Sequence, residues 1–247
     1  MVVGQGDAIV VNGSACTVGF NQGASSYTAA HCGESGDRVR LLLADGTMSP
    51  EAGTLTNSAA SEGTTNDWAR IDWDAGVALG PNEYSGDEVV ALDTVRRGEQ
   101  VCTYGWSTRA TTCGTFHAQV GNSFLVDIAP GKGGDSGGPL WIPGRGFLGV
   151  HSATVSGRNN DTGATKTMLL GATTADGGDI QEGVEDAFLD YFSVHRAQAG
   201  APKPPPTAAG VVIAEDNAAQ EPGGDSWYMA ALIGVVALLT VVINLVL

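Results

Sequence analysis

The segment Gly131–Leu140, with the sequence GKGGDSGGPL, surrounds a single serine with glycines. Such a segment contributes little to a hydrophobic core, but its backbone can adopt strained turns and direct several N–H groups into one cavity. A serine hydroxyl becomes a nucleophile when a base takes its proton and N–H donors stabilise the oxyanion that forms. We therefore predict that Ser136 is a nucleophile and that the amides of Gly134 and Ser136 are the oxyanion donors.

The base that a nucleophilic serine requires is expected to be a histidine. The four histidines of the chain are His31, His117, His151 and His195. We favour His31 because it lies in YTAAHCG beside Cys32, and a disulfide at Cys32 would fix the backbone next to the imidazole.

The carboxylate that orients such a base is buried, so we expect it in an apolar stretch of sequence. Asp67 in TTNDWARIDW is followed directly by apolar side chains. Asp72 is the alternative, and it lies on the opposite face of a strand from Asp67 because an odd number of residues separates them. The residues alone favour Asp67 and leave Asp72 open.

The four cysteines contain no Cys-x-x-Cys pair, which disfavours a structural zinc site. Three pairings are possible, and the local one is the simplest, with each loop of roughly 10–20 residues contributing on the order of 3 kcal/mol. Disulfides would indicate an oxidising compartment, and four buried reduced thiols are the alternative. The cysteines are Cys16, Cys32, Cys102 and Cys113.

Residues 1–175 consist of short runs rich in β-branched and apolar residues, separated at short intervals by glycine. This pattern predicts an all-β barrel or sandwich of antiparallel strands rather than alternating strands and helices. The segment Asp179–Ala197 is predicted to be helical because its apolar residues recur with helical spacing. We expect this helix to pack against the β domain.

Composition changes after the predicted helix. Residues 201–226 are rich in proline, small and acidic residues, and they are predicted to form a linker. Residues 227–247 carry no charge, and at about 1.5 Å per residue such a helix spans roughly 30 Å, the hydrocarbon thickness of a bilayer. We predict a transmembrane helix here, with a core helix and a cleaved lipid-anchor signal as alternatives.

The formal net charge of −15 at pH 7 predicts repulsion from nucleic acids and from anionic lipid surfaces. No nucleic-acid partner is therefore expected. Neither a cluster of metal ligands nor a phosphate-binding motif stands out, so we predict no metal and no cofactor. Residues 1–11 lack a basic segment followed by an apolar run, so an export signal has been removed or lies upstream if the protein is exported.

Three motifs in the order TAAHC, NDWARI and GDSGGP resemble the chymotrypsin-fold serine proteases. The segments GDAIVVNGSACTVGFN and VCTYGWSTRATTCGT are similar to the N-terminal strand and second cysteine loop of the bacterial streptogrisin and α-lytic protease branch. The resemblance covers roughly residues 4–195. It implies two six-stranded antiparallel β-barrels, with an active site in the cleft between them, in a protease domain of residues 1–200.

The resemblance also assigns chemical roles. His31 is the general base and then acid, Asp67 orients it, and Ser136 forms an acyl-enzyme that water hydrolyses. The implied disulfides are Cys16–Cys32 and Cys102–Cys113. We expect a monomeric serine endopeptidase that acts on protein or peptide substrates outside the cytoplasm and is tethered to the cell membrane by its C-terminal helix. An inactive protease-like module that binds partners at the cell surface is the alternative.

The strand GVHSAT resembles the strand that lines the substrate pocket of this family, which assigns His151, Ser152 and Thr154 to substrate binding. In glutamate-preferring members a histidine at this position binds the substrate carboxylate. We therefore expect an acidic residue on the N-terminal side of the cleaved bond, the P1 position. A histidine with a structural role and an apolar P1 preference are the alternatives.

The chain departs from the family pattern beside the nucleophile. Relatives in the same branch carry an arginine that balances the aspartate before the serine, but Thr103 occupies that position here. Burying Asp135 without a partner would be costly. We expect the partner to be the amino group of Val2, if Met1 is removed, the guanidinium of Arg109, another basic group or bound water. A third disulfide near the pocket is also missing.

Overall fold

The computed structural model describes residues 1–177, 181–198 and 210–214. Within these ranges the chain forms two antiparallel β-sheets of seven strands each, a short parallel pair of strands, two 3₁₀ turns and one α-helix. The parallel pair is β1 (Val2–Val3) and β9 (Ala78–Leu79), the turns are Ala30–Cys32 and Leu92–Thr94, and the helix is α1 (Gln181–Gln198).

The N-terminal sheet is built from strands of three to five residues. They are β2 (Ala8–Val11), β3 (Ser14–Thr17), β4 (Phe20–Gln22), β5 (Ser25–Thr28), β6 (Arg38–Leu41), β7 (Gly53–Asn57) and β8 (Ala69–Trp73). The order across the sheet is β3-β2-β6-β7-β8-β5-β4. Its curved inner face buries Ile9, Val11, Leu55 and Ile71 together with the Cys16–Cys32 disulfide.

The C-terminal sheet closes into a barrel. Its strands are β10 (Gln100–Gly105), β11 (Ala110–Val120), β12 (Ser123–Asp127), β13 (Pro139–Ile142), β14 (Gly146–Arg158), β15 (Thr165–Ala172) and β16 (Gly210–Ala214). The order is β13-β10-β11-β12-β15-β14-β16, and β13 also pairs with β14. Six strands therefore form a closed barrel around residues such as Phe124, Leu140 and Leu148, and β16 extends the edge of β14.

The predicted all-β fold with a terminal helix is confirmed. Helix α1 begins and ends within two residues of the predicted bounds, and it buries Val184 and Phe188 against the barrel residues Val155 and Met168. Both predicted disulfides are present, and the second joins directly opposite residues of β10 and β11. The alternative of reduced thiols is wrong.

The prediction of two six-stranded barrels is correct for one sheet only, because the N-terminal sheet is a half-barrel. Its edge strands β3 and β4 are not paired with each other. The N–H of Thr17, the last residue of β3, instead donates to the carbonyl of Ser136 at 2.8 Å. The last residue of β3 therefore holds the serine loop.

The predicted transmembrane helix, residues 227–247, lies outside the described residues, as does most of the predicted linker. In the described parts of the chain, no helix is both long and apolar enough to cross a membrane. One piece of the linker, Gly210–Ala214, is described, and it forms β16. The sequence pattern did not predict this strand.

Candidate active site

His31 and Asp67 form a close pair. His31 follows the last residue of β5, and Asp67 precedes the first residue of β8, its antiparallel neighbour. His31 lies in the 3₁₀ turn after β5, where the disulfide of the neighbouring Cys32 holds the backbone. Asp67 lies just before β8, and it accepts hydrogen bonds from the backbone N–H of His31 at 2.9 Å and from its Nδ1 at 2.8 Å. The two contacts fix both the position and the orientation of the imidazole.

The carboxylate of Asp67 is buried, with only 1% of the residue exposed. Burial alone raises the pKa of this group, but the charge of His31 and the hydrogen bonds from His31 and Ser152 outweigh that cost, so the pKa of Asp67 is lowered. The hydroxyl of Ser152 donates to Oδ2 at 2.6 Å. Asp67 is therefore an ionised acceptor at neutral pH, which is the property that an orienting carboxylate needs.

The alternative carboxylate, Asp72, does not take part in this pair. It lies on β8, where it accepts a hydrogen bond from Ser25 at 2.8 Å and forms an ion pair with Arg70 at 2.9 Å. Arg70 is exposed and Ser25 is half-buried, and Asp72 lies on the face of β8 opposite the buried Ala69 and Ile71.

The residue before Asp67 is a positioning group that the sequence analysis missed. Asn66 has a positive φ of 51°, a conformation that asparagine tolerates better than most residues. Its side chain accepts from the N–H of Gly177 at 2.7 Å and donates to the carbonyl of Ala60 at 3.0 Å. Because Gly177 follows the last strand of the closed barrel, Asn66 ties the loop that carries Asp67 to the other sheet.

Ser136 follows a tight turn. The N–H of Asp135 donates to the carbonyl of Lys132 at 2.9 Å, and Gly134, the third residue of the turn, has a φ of +95°. A positive φ at this position is typical of a type II turn, and glycine adopts it without strain. In the described part of the chain, the amides of Gly134 and Ser136 donate to no protein acceptor. Both predicted oxyanion donors are thus available to a ligand.

The backbone after the serine is fixed by both sheets. The N–H of Gly137 donates to the carbonyl of His151 at 2.8 Å, and the N–H of His151 donates to the carbonyl of Gly138 at 2.8 Å. A Cβ atom at Gly137 would lie 2.0 Å from the hydroxyl oxygen of Thr28, so no larger residue fits there. The glycines therefore allow the serine loop to pack directly against β5 and β14.

One cleft contains all three predicted catalytic side chains and all three predicted substrate-binding residues. Lys132 lines the same cleft, although the sequence analysis gave it no role. The loop before Asp67 contributes Gly63 and Thr64. The predicted residues in the lining are His31, Asp67, Ser136, His151, Ser152 and Thr154. The remaining two histidines do not line this cleft, and His117 instead contacts the carbonyl of Ala187 on α1 at 2.9 Å.

Asp135 is buried, and neither of the two residues expected as its partner contacts it. Its carboxylate accepts hydrogen bonds from the N–H of Thr108 at 2.8 Å, from the hydroxyl of Thr108 and from the N–H of Lys132 at 2.8 Å. Val2 is 65% exposed, and the guanidinium of Arg109 lies 5.3 Å from the ring centre of Trp106 instead. Three neutral donors replace the expected cation, because hydrogen bonds can stabilise a buried carboxylate without a counter-charge.

Removing one of these donors should destabilise the fold. We expect Thr108→Val to lower the free energy of unfolding by about 1–3 kcal/mol, since it leaves a buried carboxylate short of one hydrogen bond. Urea denaturation of the purified protein measures the loss. Thr111→Val, the same change at an exposed position of β11, is the matched control. Equal denaturation midpoints for the two variants would show that the Thr108 hydroxyl does not stabilise Asp135.

Comparisons with known proteins leave the family of the chain open. No protein-family model matches the sequence, and no curated protein does. Among solved structures, kallikrein-related peptidase 10 in complex with Zn²⁺ is 17% identical with a TM-score of 0.46, covering 79% of this chain and 95% of that one. An inactive form of the Rv3671c protease from M. tuberculosis H37Rv is 17% identical with a TM-score of 0.42, covering 80% and 88%. At this identity and TM-score, neither resemblance assigns a function.

Proposed function

We propose that the chain is a serine endopeptidase of the chymotrypsin type, with Ser136 as nucleophile, His31 as general base and Asp67 as orienting carboxylate. One observation carries the proposal. A buried carboxylate accepts hydrogen bonds from the backbone N–H and from the Nδ1 of His31, and the same cleft contains a serine that follows a type II turn. The amides of Gly134 and Ser136 donate to no acceptor among the described residues. Each element has a defined task in acyl transfer.

The reaction proceeds in two stages. The Oγ of Ser136 attacks the carbonyl carbon of the substrate while the imidazole of His31 takes its proton, and the amides of Gly134 and Ser136 stabilise the oxyanion. His31 then gives the proton to the leaving amine, which breaks the peptide bond and leaves an ester on the serine. Water, activated by the same imidazole, hydrolyses the ester. The lowered pKa of Asp67 supports a carboxylate that stays ionised throughout.

We further propose an acidic P1 preference. His151 is only 5% exposed, and its ring lies against Gly131, where a Cβ atom would be 2.5 Å from the ring carbon Cε1. Lys132 follows directly and is exposed at the lining of the same cleft. A lysine ammonium and an imidazole N–H are both donors suited to a carboxylate. Their presence beside Ser136 favours glutamate or aspartate over apolar P1 side chains.

A panel of fluorogenic peptides that differ only at P1 tests both parts of this proposal. We expect kcat/KM for glutamate to exceed that for leucine by about 10- to 100-fold, the worth of one hydrogen bond to a charged group. Lys132→Gln should lower the glutamate-to-leucine ratio, whereas Arg96→Gln, which removes a charge from an exposed position, should not. Hydrolysis without an acidic preference would refute the specificity alone. Failure to hydrolyse any peptide would favour an inactive binding module.

The cellular setting completes the proposal. Two disulfides support an oxidising compartment for the domain formed by residues 1–200. We propose that residues 201–226 connect this domain to a membrane anchor at residues 227–247, and that the monomeric protease lies outside the cytoplasm. Protease accessibility of the domain on intact cells tests this arrangement.

A further inference from the structure

The hairpin between β10 and β11 ends in a strained residue. Residues 106–109 connect the two strands and form the hairpin tip. Arg109, the last of them, has a φ of +53°, a left-handed conformation that is unfavourable for an arginine. Its N–H donates to the carbonyl of Gly105 at 2.8 Å, which holds the backbone in this conformation. Because strained residues cluster at functional sites, the hairpin tip is a candidate for a functional role.

The charge of Arg109 is available to a ligand. Its side chain is exposed, and the guanidinium carbon lies 5.3 Å from the ring centre of Trp106. The chain has 27 acidic residues against 12 basic ones, yet no carboxylate in the described part of the chain forms an ion pair with Arg109. The ring supports the guanidinium from one face, and the N–H groups at its edge are suited to bind a carboxylate.

The hairpin tip packs against the turn that precedes Ser136. A Cβ atom at Gly134 would lie 2.5 Å from the hydroxyl oxygen of Ser107 and 3.8 Å from the ring of Trp106. The neighbouring Thr108 holds the carboxylate of Asp135. The tip therefore lies directly beside the residue whose amide is one of the two proposed oxyanion donors.

The peptide bond after Ser136 places β3 and β14 on opposite sides of the serine loop. Its carbonyl accepts from the N–H of Thr17 on β3, and its N–H donates to the carbonyl of His151 on β14, both at 2.8 Å. In a trans peptide these two groups point in opposite directions. Because β14 carries the proposed substrate-binding residues, the part of a substrate before the cleaved bond lies on the β14 side. The part after the bond then leaves on the β3 side.

The hairpin tip belongs to the β3 side. The N–H of Trp106 donates to the hydroxyl of Thr17 at 3.1 Å, and that hydroxyl donates to the carbonyl of Gly134 at 2.7 Å. A disulfide also joins β3 to the turn that carries His31, the residue that would give its proton to the leaving amine. Arg109 is thus placed beside the path of the leaving segment.

We propose that Trp106 and Arg109 form a leaving-group subsite, which binds an acidic side chain at the first or second residue after the cleaved bond, P1′ or P2′. The inference rests on the proposed protease function. Trp106 positions the guanidinium, and Arg109 contacts the substrate carboxylate. Since Lys132 lines the cleft on the other side of the serine turn, the substrates are peptide segments with acidic residues on both sides of the cleaved bond.

Two peptides that share the best P1 residue test the subsite. One carries glutamate at both P1′ and P2′, and the other carries glutamine at both positions. We expect kcat/KM for the glutamate peptide to be about threefold to fivefold higher, the worth of an exposed ion pair, and the ratio to fall in 1 M NaCl. Arg109→Gln should reduce the ratio to about one. Arg96→Gln removes a charge from another exposed position and should leave both rates unchanged.

A second variant separates the loss of charge from damage to the fold. Arg109→Gly also removes the charge, but glycine adopts a positive φ without strain, so this variant should fold at least as well as the unchanged chain and also show a ratio of about one. A fluorophosphonate that labels an active serine is applied to the same preparations. Labelled protein that cleaves both peptides equally, or that keeps its ratio in both Arg109 variants, overturns the subsite alone. Protein that is neither labelled nor active overturns the protease function and the subsite with it.

Discussion

Replacing Ser136 with alanine should lower kcat/KM for peptide hydrolysis by at least about 10⁴-fold. The alanine retains the turn, the amide donors and the substrate-binding strand, so the fold and the binding of substrate should persist. It removes the only oxygen that can form the ester, and the remaining rate comes from water attacking in the same cleft. Steady-state kinetics on the best peptide of the P1 panel measure the change.

The matched control for this variant is Ser193→Ala. Ser193 is exposed on α1, where its hydroxyl donates to the carbonyl of Asp190 at 2.8 Å. We expect its kcat/KM to stay within about twofold of the unchanged chain, because surface substitutions rarely alter a distant site. Equal kinetics for the two alanine variants would contradict a nucleophilic role for Ser136.

The second large effect is expected from Asp67→Asn, which should lower kcat by about 10⁴-fold while the fold is retained. An aspartate can only accept a hydrogen bond, so Nδ1 of His31 carries the proton and Nε2 is left to act as the base. An asparagine amide can donate to Nδ1 and so favours the opposite tautomer. Asp72→Asn makes the same change in a surface ion pair and should leave kcat unchanged within about twofold.

The Asp67→Asn variant should also respond differently to acid. Because the folded state lowers the pKa of Asp67, its ionised form stabilises the fold above the ordinary pKa of an aspartate, and this contribution is lost as the pH falls through the lowered value. The asparagine cannot titrate, so the variant does not lose this part of its stability as the pH falls. Urea denaturation at pH 7 and pH 3 measures the difference. A decline of the same size in both proteins would show that Asp67 is not held as an ionised partner of His31.

Local sequence was sufficient to find the three candidate catalytic side chains, which line one cleft. The glycines around Ser136 predicted a tight turn with free amides, and the turn at Lys132–Asp135 has that geometry. The odd spacing of Asp67 and Asp72 predicted opposite faces of one strand, and Asp72 does lie in a surface ion pair on β8, but Asp67 lies before that strand begins. These features depend on turn chemistry and on the alternation of a strand, which a few consecutive residues determine.

Contacts between distant segments were not predictable in the same way. One partner of Asp135 is Thr108, which lies 27 residues earlier in the chain and was not among the partners expected from the sequence. Asn66 binds Gly177, a separation of 111 residues. No spacing rule links such pairs, because the fold of the intervening strands determines which backbone groups meet.

The strand β16 shows how composition can hide structure. Residues 201–226 are rich in proline and small residues, which favours a linker, yet Gly210–Ala214 is a short apolar run within them. Five residues of this kind are too few to predict a strand without a known edge to receive them. The edge of β14 from Thr154 to Arg158 receives this strand. The position of that edge depends on the whole barrel and cannot be read from the five residues themselves.

The covalent reactivity of Ser136 is the most direct test of the catalytic proposal. The folded chain is treated with a fluorophosphonate, digested and mapped by mass spectrometry, with Ser136→Ala and the acid-denatured chain as blanks. We predict one equivalent of phosphonate on Ser136, none on either blank and a labelling rate that falls in Asp67→Asn. An unlabelled Ser136 in folded, disulfide-bonded protein would contradict the assignment of this serine, with His31 and Asp67, as the machinery of a hydrolase.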